Sequence, residues 1–251
     1  NLLLANFLFT LTIVITIATQ NTFEISHTIK EVFMDTCKSM KLNSDLSENV
    51  TYNTPEFPAY IRMEQLSLYP DYRGVSHWHD DVEFIMMVDG QMTYDINGQS
   101  IDMQTGEGIF VNSRCLHYGY SDAHADCHFI CLRMSLSLLS ANDYFTKNYM
   151  EPLTGNTGYP YQKLTPAILW QNMILGDIQA IYDTSHDVLR PFSVIEKFAH
   201  TMELLSENMD TQNKSVENSD DLLSLTAMIG FIQKNYPGKL LLKDISNSKR
   251  P

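Results

Sequence analysis

The chain has 251 residues, 44% of them hydrophobic and 19% charged, which is enough apolar content for a folded core and more length than one average domain. Its 17 basic residues against 30 acidic ones give a formal net charge of -13, which excludes an extended phosphate-binding face and leaves room only for local contact with DNA. The four cysteines, Cys37, Cys115, Cys127 and Cys131, contain no CxxC pair and are too few for a disulfide framework, so free thiols in a reducing cytoplasm are expected.

Residues Asn1 to Phe23 carry no charge, and Leu2 to Ala18 are nearly all apolar or Thr. That run is near the lower length limit for crossing a bilayer, but neither Lys nor Arg precedes it and there is no start Met. An abnormal or shifted start is expected there rather than a membrane anchor. Ile29, Val32, Phe33 and Cys37 then recur at helical spacing, and residues Asn43 to Pro58 are polar with two prolines, so 1–58 reads as an apolar segment, a short helix and a linker.

From Tyr60 to Leu132 the pattern is that of short strands: YIRMEQLSLY, VEFIMMV, QMTYDI, QSIDM, GIFV, LHYGY and CHFICLRM. Asp89-Gly90 and Asn97-Gly98 tolerate the positive φ of tight turns and predict antiparallel hairpins, and Gly106 and Gly108 bracket another turn. Some seven strands in such a short stretch predict a small antiparallel barrel or jelly roll over 59–135.

The stretch Gly74 to Gly90, GVSHWHDDVEFIMMVDG, concentrates site chemistry. Read as a strand, it turns His77, His79, Asp81 and Glu83 to one face with Ile85 and Met87 behind them, and Trp78, Asp80, Val82 and Phe84 to the other. Two imidazoles and carboxylates facing a packed interior need partners, and a metal, a small molecule or ordered water would supply them. Asp80 and Asp81, being adjacent, face opposite ways and do not form an acid/base dyad. His124 and His128, near Cys127 and Cys131, are better read as part of an edge strand than as a second metal site.

Beyond Met134 the period becomes helical. Residues 166–183 place Leu169, Met173, Ile174, Ile178 and Ile181 on one stripe, and 191–209 place Ile195, Phe198, Met202, Leu205 and Met209 at spacings of three and four, a seam suited to pairing within the chain or with a second copy. A polar linker, 211–221, leads to an amphipathic helix from Leu222 to Tyr236, stopped by Pro237-Gly238, and to the opening of another at Leu240 to Ser248.

Two motifs carry a resemblance. HxHxxxE at His77, His79 and Glu83, followed by six residues and then Gly90, and GEGIFVNSRCLH at Gly106 to His117 resemble the paired motifs of the cupin superfamily. The resemblance implies a β-barrel in which His77, His79, Glu83 and His117 converge. The second motif departs from the family form at Asn112 and Arg114, where Pro and Gly are expected. Together with INGQ and MIGFIQKNYPGKLLLKDIS, these stretches resemble a bacterial regulator of the AraC/XylS family from Tyr52 to Ser248.

The resemblance implies an α+β chain with a ligand-sensing cupin barrel, a helical dimerisation segment over 136–210, and a helix-turn-helix domain of which 222–251 holds only the beginning. A homodimer through helices 166–209 and a small-molecule effector, for instance a sugar, are expected, with DNA bound only by a fuller form. His77, His79, Asp81, Glu83, Ile85, Met87 and His117 are the expected ligand pocket. No cofactor is required, and a divalent metal (Fe, Mn, Zn or Ni) on His77, His79, Glu83 and His117 is the optional occupant. The rival reading is a metal-dependent cupin enzyme of dioxygenase or sugar isomerase type.

Overall fold

The computed structural model describes residues 40–140, 142–155, 159–184 and 190–209, with Met228 and Lys243. The expectations for residues 1–39, the linker 211–221 and the helix-turn-helix start at 222–251 therefore lie outside the described residues, apart from those two positions. Among the described residues no helix is long and apolar enough to cross a membrane.

Among the described residues, eight strands form two antiparallel sheets. They are β1 (Ala59–Gln65), β2 (Val82–Asp89), β3 (Gln91–Ile96), β4 (Gln99–Gln104), β5 (Gly108–Val111), β6 (His117–Tyr120), β7 (His128–Met134) and β8 (Tyr161–Leu164). One sheet runs β1-β7-β2-β5-β8 and the other β4-β3-β6. Between β7 and β8 lie short helical turns, α1 (Asp143–Phe145) and α2 (Glu151–Thr154), and after β8 come two longer helices, α3 (Leu169–Asp183) and α4 (Arg190–Asn208).

The larger sheet is buried on both faces, and side-chain alternation divides its residues between two cores. Tyr60, Ile85, Met87, Ile109, Val111, Phe129 and Cys131 face inward and meet Met92, Tyr94, Ile96 and Met103 of the smaller sheet. Ile61, Phe84, Phe110, Ile130 and Leu132 face outward and pack against Ile174, Ile178, Val194, Phe198 and Leu205 of the helices. Gly108 sits where β5 runs under α3: a Cβ there would meet the Ile85 carbonyl at 2.6 Å and Leu175 at 2.9 Å.

Several expectations need correction. Asn97-Gly98 does close a two-residue hairpin, with φ of 52° and 83° and Ile96 opposite Gln99. Asp89-Gly90 does not: β2 and β3 belong to different sheets, and a register shift between Met87 and Asp89 turns the chain at Gly90, φ 77°, from one sheet to the other. His124 and His128 do not lie on an edge strand: His124 precedes β7, and β7, which begins at His128, is paired by β1 on one side and β2 on the other. The barrel does not end at 135 either; β8 comes from the stretch expected to be helical and pairs with β5.

The helices form where the period predicts, with small shifts. Residues 166–168 make a turn, so α3 starts at Leu169, whose side chain is 77% exposed, and Met173 is exposed too. The buried stripe is instead Gln171, Ile174, Leu175, Ile178 and Ile181. In α4, Phe198, Met202 and Leu205 and the following Met209 are buried as the seam requires, but against α3 and the sheet of the same chain, while Ile195 is 37% exposed. Asp177 of α3, also buried, accepts a 2.6 Å hydrogen bond from His200 Nδ1 of α4, which gives that carboxylate its partner.

Candidate metal and ligand site

The site is assembled from two places on the barrel wall. Residues 77 to 79 are extended but do not belong to β2; a bend at Asp80 and Asp81 precedes the strand at Val82. His77 is held by a two-way backbone pair with His117, its N–H reaching the His117 carbonyl at 3.2 Å and the reverse bond measuring 2.8 Å. That pair sets one imidazole beside the other, with ring centroids 4.4 Å apart.

The turn that delivers His117 works without the Pro and Gly of the usual motif. Arg114 itself adopts φ 61°, the left-handed conformation glycine favours, its N–H donates to the His79 carbonyl at 2.8 Å and its guanidinium meets Asp80 at 2.6 Å. Asn112, buried, spends its amide on the carbonyls of Leu153 (3.1 Å) and Tyr159 (2.9 Å), tying the turn to the segment that leads into β8.

His77, His79, Glu83 and His117 are all buried and each offers one ligand atom, these atoms lying within 4.8 Å of one another. The tautomers follow from the backbone. Nδ1 of His77, His79 and His117 lies 2.8, 3.0 and 2.8 Å from the carbonyls of Val75, Asp81 and Cys115 respectively. A carbonyl can only accept, so each Nδ1 carries a proton and each neutral ring turns its Nε2 lone pair to the common centre. Nε2 of His77 and of His117 has no hydrogen-bond partner there.

Glu83 joins them as the second residue of β2, its Oε2 3.3 Å from His79 Nε2 and its Oε1 3.5 Å from His117 Nε2. The Tyr94 hydroxyl, from the smaller sheet, donates to the same carboxylate and orients it. Three lone-pair nitrogens and a carboxylate, with backbone carbonyls behind the rings, are the donor set of a divalent transition metal. The residues present therefore fit such an ion.

Electrostatics of the metal-free cluster point the same way. Burial and then the charges of His117 and His79 hold His77 well below its ordinary pKa. Burial would also lower His117, but the charge of Glu83, 3.5 Å away, outweighs it and raises this ring instead. Burial pushes Glu83 up, while the charge of His117 and the contact with His79 carry it well below the carboxylate range. His117 and Glu83 thus each favour the charged form of the other, and a metal ion would supply positive charge at the same place.

Asp81 stands apart. The bend at 80–81 breaks the two-residue alternation, and its buried carboxylate accepts from the Tyr52 hydroxyl at 3.0 Å and is not one of the clustered donors. Ile85 and Met87 follow Glu83 into the barrel core. His124 and His128 lie elsewhere, near Asp71 (3.8 Å) and Asp89 (3.4 Å).

Two residues that the sequence did not single out complete the site. Arg133 of β7, 8% exposed, donates through Nη1 to Glu48 at 2.6 and 2.7 Å and lies with its guanidinium 3.9 Å over the Tyr60 ring. Its signal was an arginine inside the apolar run CHFICLRM. Glu48 comes from the stretch expected to be a linker; its side chain is 6% exposed and reaches 3.5 Å from His77 Nε2.

Residues 66–133 match the profile of the Cupin domain family. The chain's fold is that of a cupin followed by helices. It is 24% identical over 219 residues, 84% of this chain and 73% of the other, to a Bacillus subtilis (strain 168) protein described as an uncharacterized HTH-type transcriptional regulator, YdeC. Among solved structures it is similar to a salicylate 1,2-dioxygenase from Pseudoaminobacter salicylatoxidans (19% identity, 30% of this chain and 21% of that one, TM-score 0.28). It is also similar to a predicted oxalate decarboxylase from Thermotoga maritima (20% identity, 32% of this chain and 69% of that one, TM-score 0.29).

Proposed function

We propose that this chain is the sensing part of a cytoplasmic transcriptional regulator of AraC type, its cupin barrel binding a small-molecule effector over the cluster of His77, His79, Glu83 and His117. The observation that carries the reading is the similarity to the YdeC regulator across both the barrel and the helices, 84% of the chain, rather than across the barrel alone. Effector binding would shift the helices packed on the outer face of the same sheet that carries Glu83, and through them the DNA-binding part of a fuller form. Pairing of two copies through helices 166–209 belongs to this reading, with Leu169, Met173, Phe192 and Ile195 as the exposed apolar side chains available to it.

A divalent metal at the floor of the pocket is part of the same proposal, because two Nε2 lone pairs stand there without a hydrogen-bond partner. The donor set suits Fe, Mn, Zn or Ni, and when bound the ion would supply Lewis-acid polarisation of an oxygen ligand. The rival function, a metal-dependent enzyme of dioxygenase or sugar isomerase type, shares that ion and differs in consuming its ligand.

The deciding experiment is a thermal-shift screen of the purified protein with sugars and small carboxylates, with and without added metal, each stabilising compound then being followed for turnover. Sensing predicts a compound that raises Tm and is recovered unchanged. Stabilisation by metal alone, or turnover of the bound compound, would overturn it. His79→Ala should abolish metal uptake measured by elemental analysis.

A further inference from the structure

We propose that Glu48, from the segment preceding the barrel, is a fifth protein donor to the cation held by His77, His79, Glu83 and His117. The inference rests on the metal reading of that cluster.

The argument begins with His77. Because its Nδ1 proton is committed to the Val75 carbonyl at 2.8 Å, the neutral ring presents a bare lone pair at Nε2, which has no hydrogen-bond partner and is buried. Directly opposite, 3.5 Å away, is Oε2 of Glu48, with side-chain exposures of 8% and 6% for the two residues. Two acceptors facing each other in a water-poor pocket repel, and a shared cation is what makes such a pair favourable.

The spacing agrees with that. Bonds of about 2.0–2.2 Å from one ion to nitrogen and oxygen donors set neighbouring ligand atoms roughly 3.0–3.5 Å apart. The gap from His77 to Glu48, 3.5 Å, matches those from His79 and His117 to Glu83, 3.3 and 3.5 Å. Glu48 thus neighbours His77 at ligand spacing, while the donor atoms that lie mutually within 4.8 Å are those of His77, His79, Glu83 and His117, so Glu48 joins by closing on the ion from the His77 side.

Glu48 is placed there by more than its side chain. Its N–H donates to the Trp78 carbonyl at 2.8 Å, the Trp78 N–H donates to Leu46 at 3.1 Å, and the Trp78 indole reaches the Asp45 carbonyl at 2.9 Å. The segment is thus stitched to the residue that separates His77 from His79, and buried Leu46 anchors it. Arg133 holds both oxygens of Glu48 and so acts as a positioning residue that keeps the carboxylate aimed. A second carboxylate makes the site three nitrogens and two oxygens, which favours Mn²⁺, Fe²⁺, Co²⁺ or Zn²⁺ over soft Cu⁺. It also makes ion occupancy felt outside the barrel, in residues 45–48.

The test uses Co²⁺ as the probe on the intact chain, with Glu48→Gln, which keeps the shape and one acceptor for Arg133. Expected are affinity lower by at least about 10–100-fold in titration and changed visible bands of the bound Co²⁺, which follow the number and kind of its ligands. An unchanged affinity and spectrum in Glu48→Gln, with binding lost in His79→Ala, would overturn the role of Glu48 and leave the four-residue site intact. No Co²⁺ uptake by the unaltered chain would overturn both. Should Glu48→Gln not fold, hydrogen exchange on the unaltered chain decides: Co²⁺ should protect peptides spanning 45–48 along with those spanning His77 and His117, and absence of that protection refutes the proposal.

Discussion

Replacing Arg133 by Met tests the electrostatic account of the site most directly. Arg133 is 8% exposed, and its guanidinium bonds Glu48 at 2.6 and 2.7 Å, lies 3.8 Å from Glu83 Oε2 and covers the Tyr60 ring at 3.9 Å. Methionine fills much of the same volume but leaves two buried carboxylates facing each other's field with only the histidines to balance them. Breaking a buried ion pair from one side costs about 3–5 kcal/mol, against 0–1 kcal/mol for an exposed one. For a domain of this size that is a fall in Tm of roughly 6–20 °C.

The assay is thermal and urea unfolding of Arg133→Met and the unaltered chain, in EDTA and again with Co²⁺. At a hundred times Kd, an ion that binds only the folded state adds about 2.7 kcal/mol to the unaltered chain. In the variant the ion also supplies the missing positive charge, so the gain should be larger and the two proteins should converge. A loss under about 1 kcal/mol in EDTA, or an equal metal gain in both, would refute the reasoning.

Protonation gives a second expectation. Above its ordinary 6.5, a raised His117 makes a contribution to metal-free stability that is complete below 6.5 and is lost as pH rises through its folded value. His77, depressed from the same 6.5, and Glu83, depressed from 4.5, work in the other direction, their contributions being lost as pH falls through their folded values. These groups together place the metal-free stability maximum near pH 6.5, checked by urea midpoints in EDTA. Metal must displace the His117 proton, so below the raised pKa each ion should release about one proton and bind roughly tenfold tighter per pH unit, as calorimetry in buffers of differing ionisation heat would show. Finally, Phe198→Ala should cost about 3–5 kcal/mol, since the ring is 1% exposed and meets Phe84 edge-on at 6.5 Å. Because Phe84 and Glu83 face opposite sides of β2, Co²⁺ affinity of the folded variant should stay within about threefold; a lost site with an unchanged urea midpoint would contradict this division of the sheet.

The strands, the cluster and the helices were legible in the sequence because each rests on local repetition. Apolar residues alternating along Tyr60 to Leu132 define strands whichever sheet they join, and His77, His79 and Glu83 announce ligand chemistry through side chains that are costly to bury without partners. Helical spacing likewise placed α3 and α4 within a few residues of where they lie. What the tertiary structure decided is pairing between distant segments. Asp89-Gly90 has the composition of a hairpin, and only the packing of two sheets shows that the chain changes sheet there. β8 is too short and polar to signal a strand until β5 offers it an edge. Glu48 lies in a polar stretch with no period at all, and Arg133 reads as a lone charge in an apolar strand; each gains meaning from the other, 85 positions apart, because burial makes a charge depend on its partner.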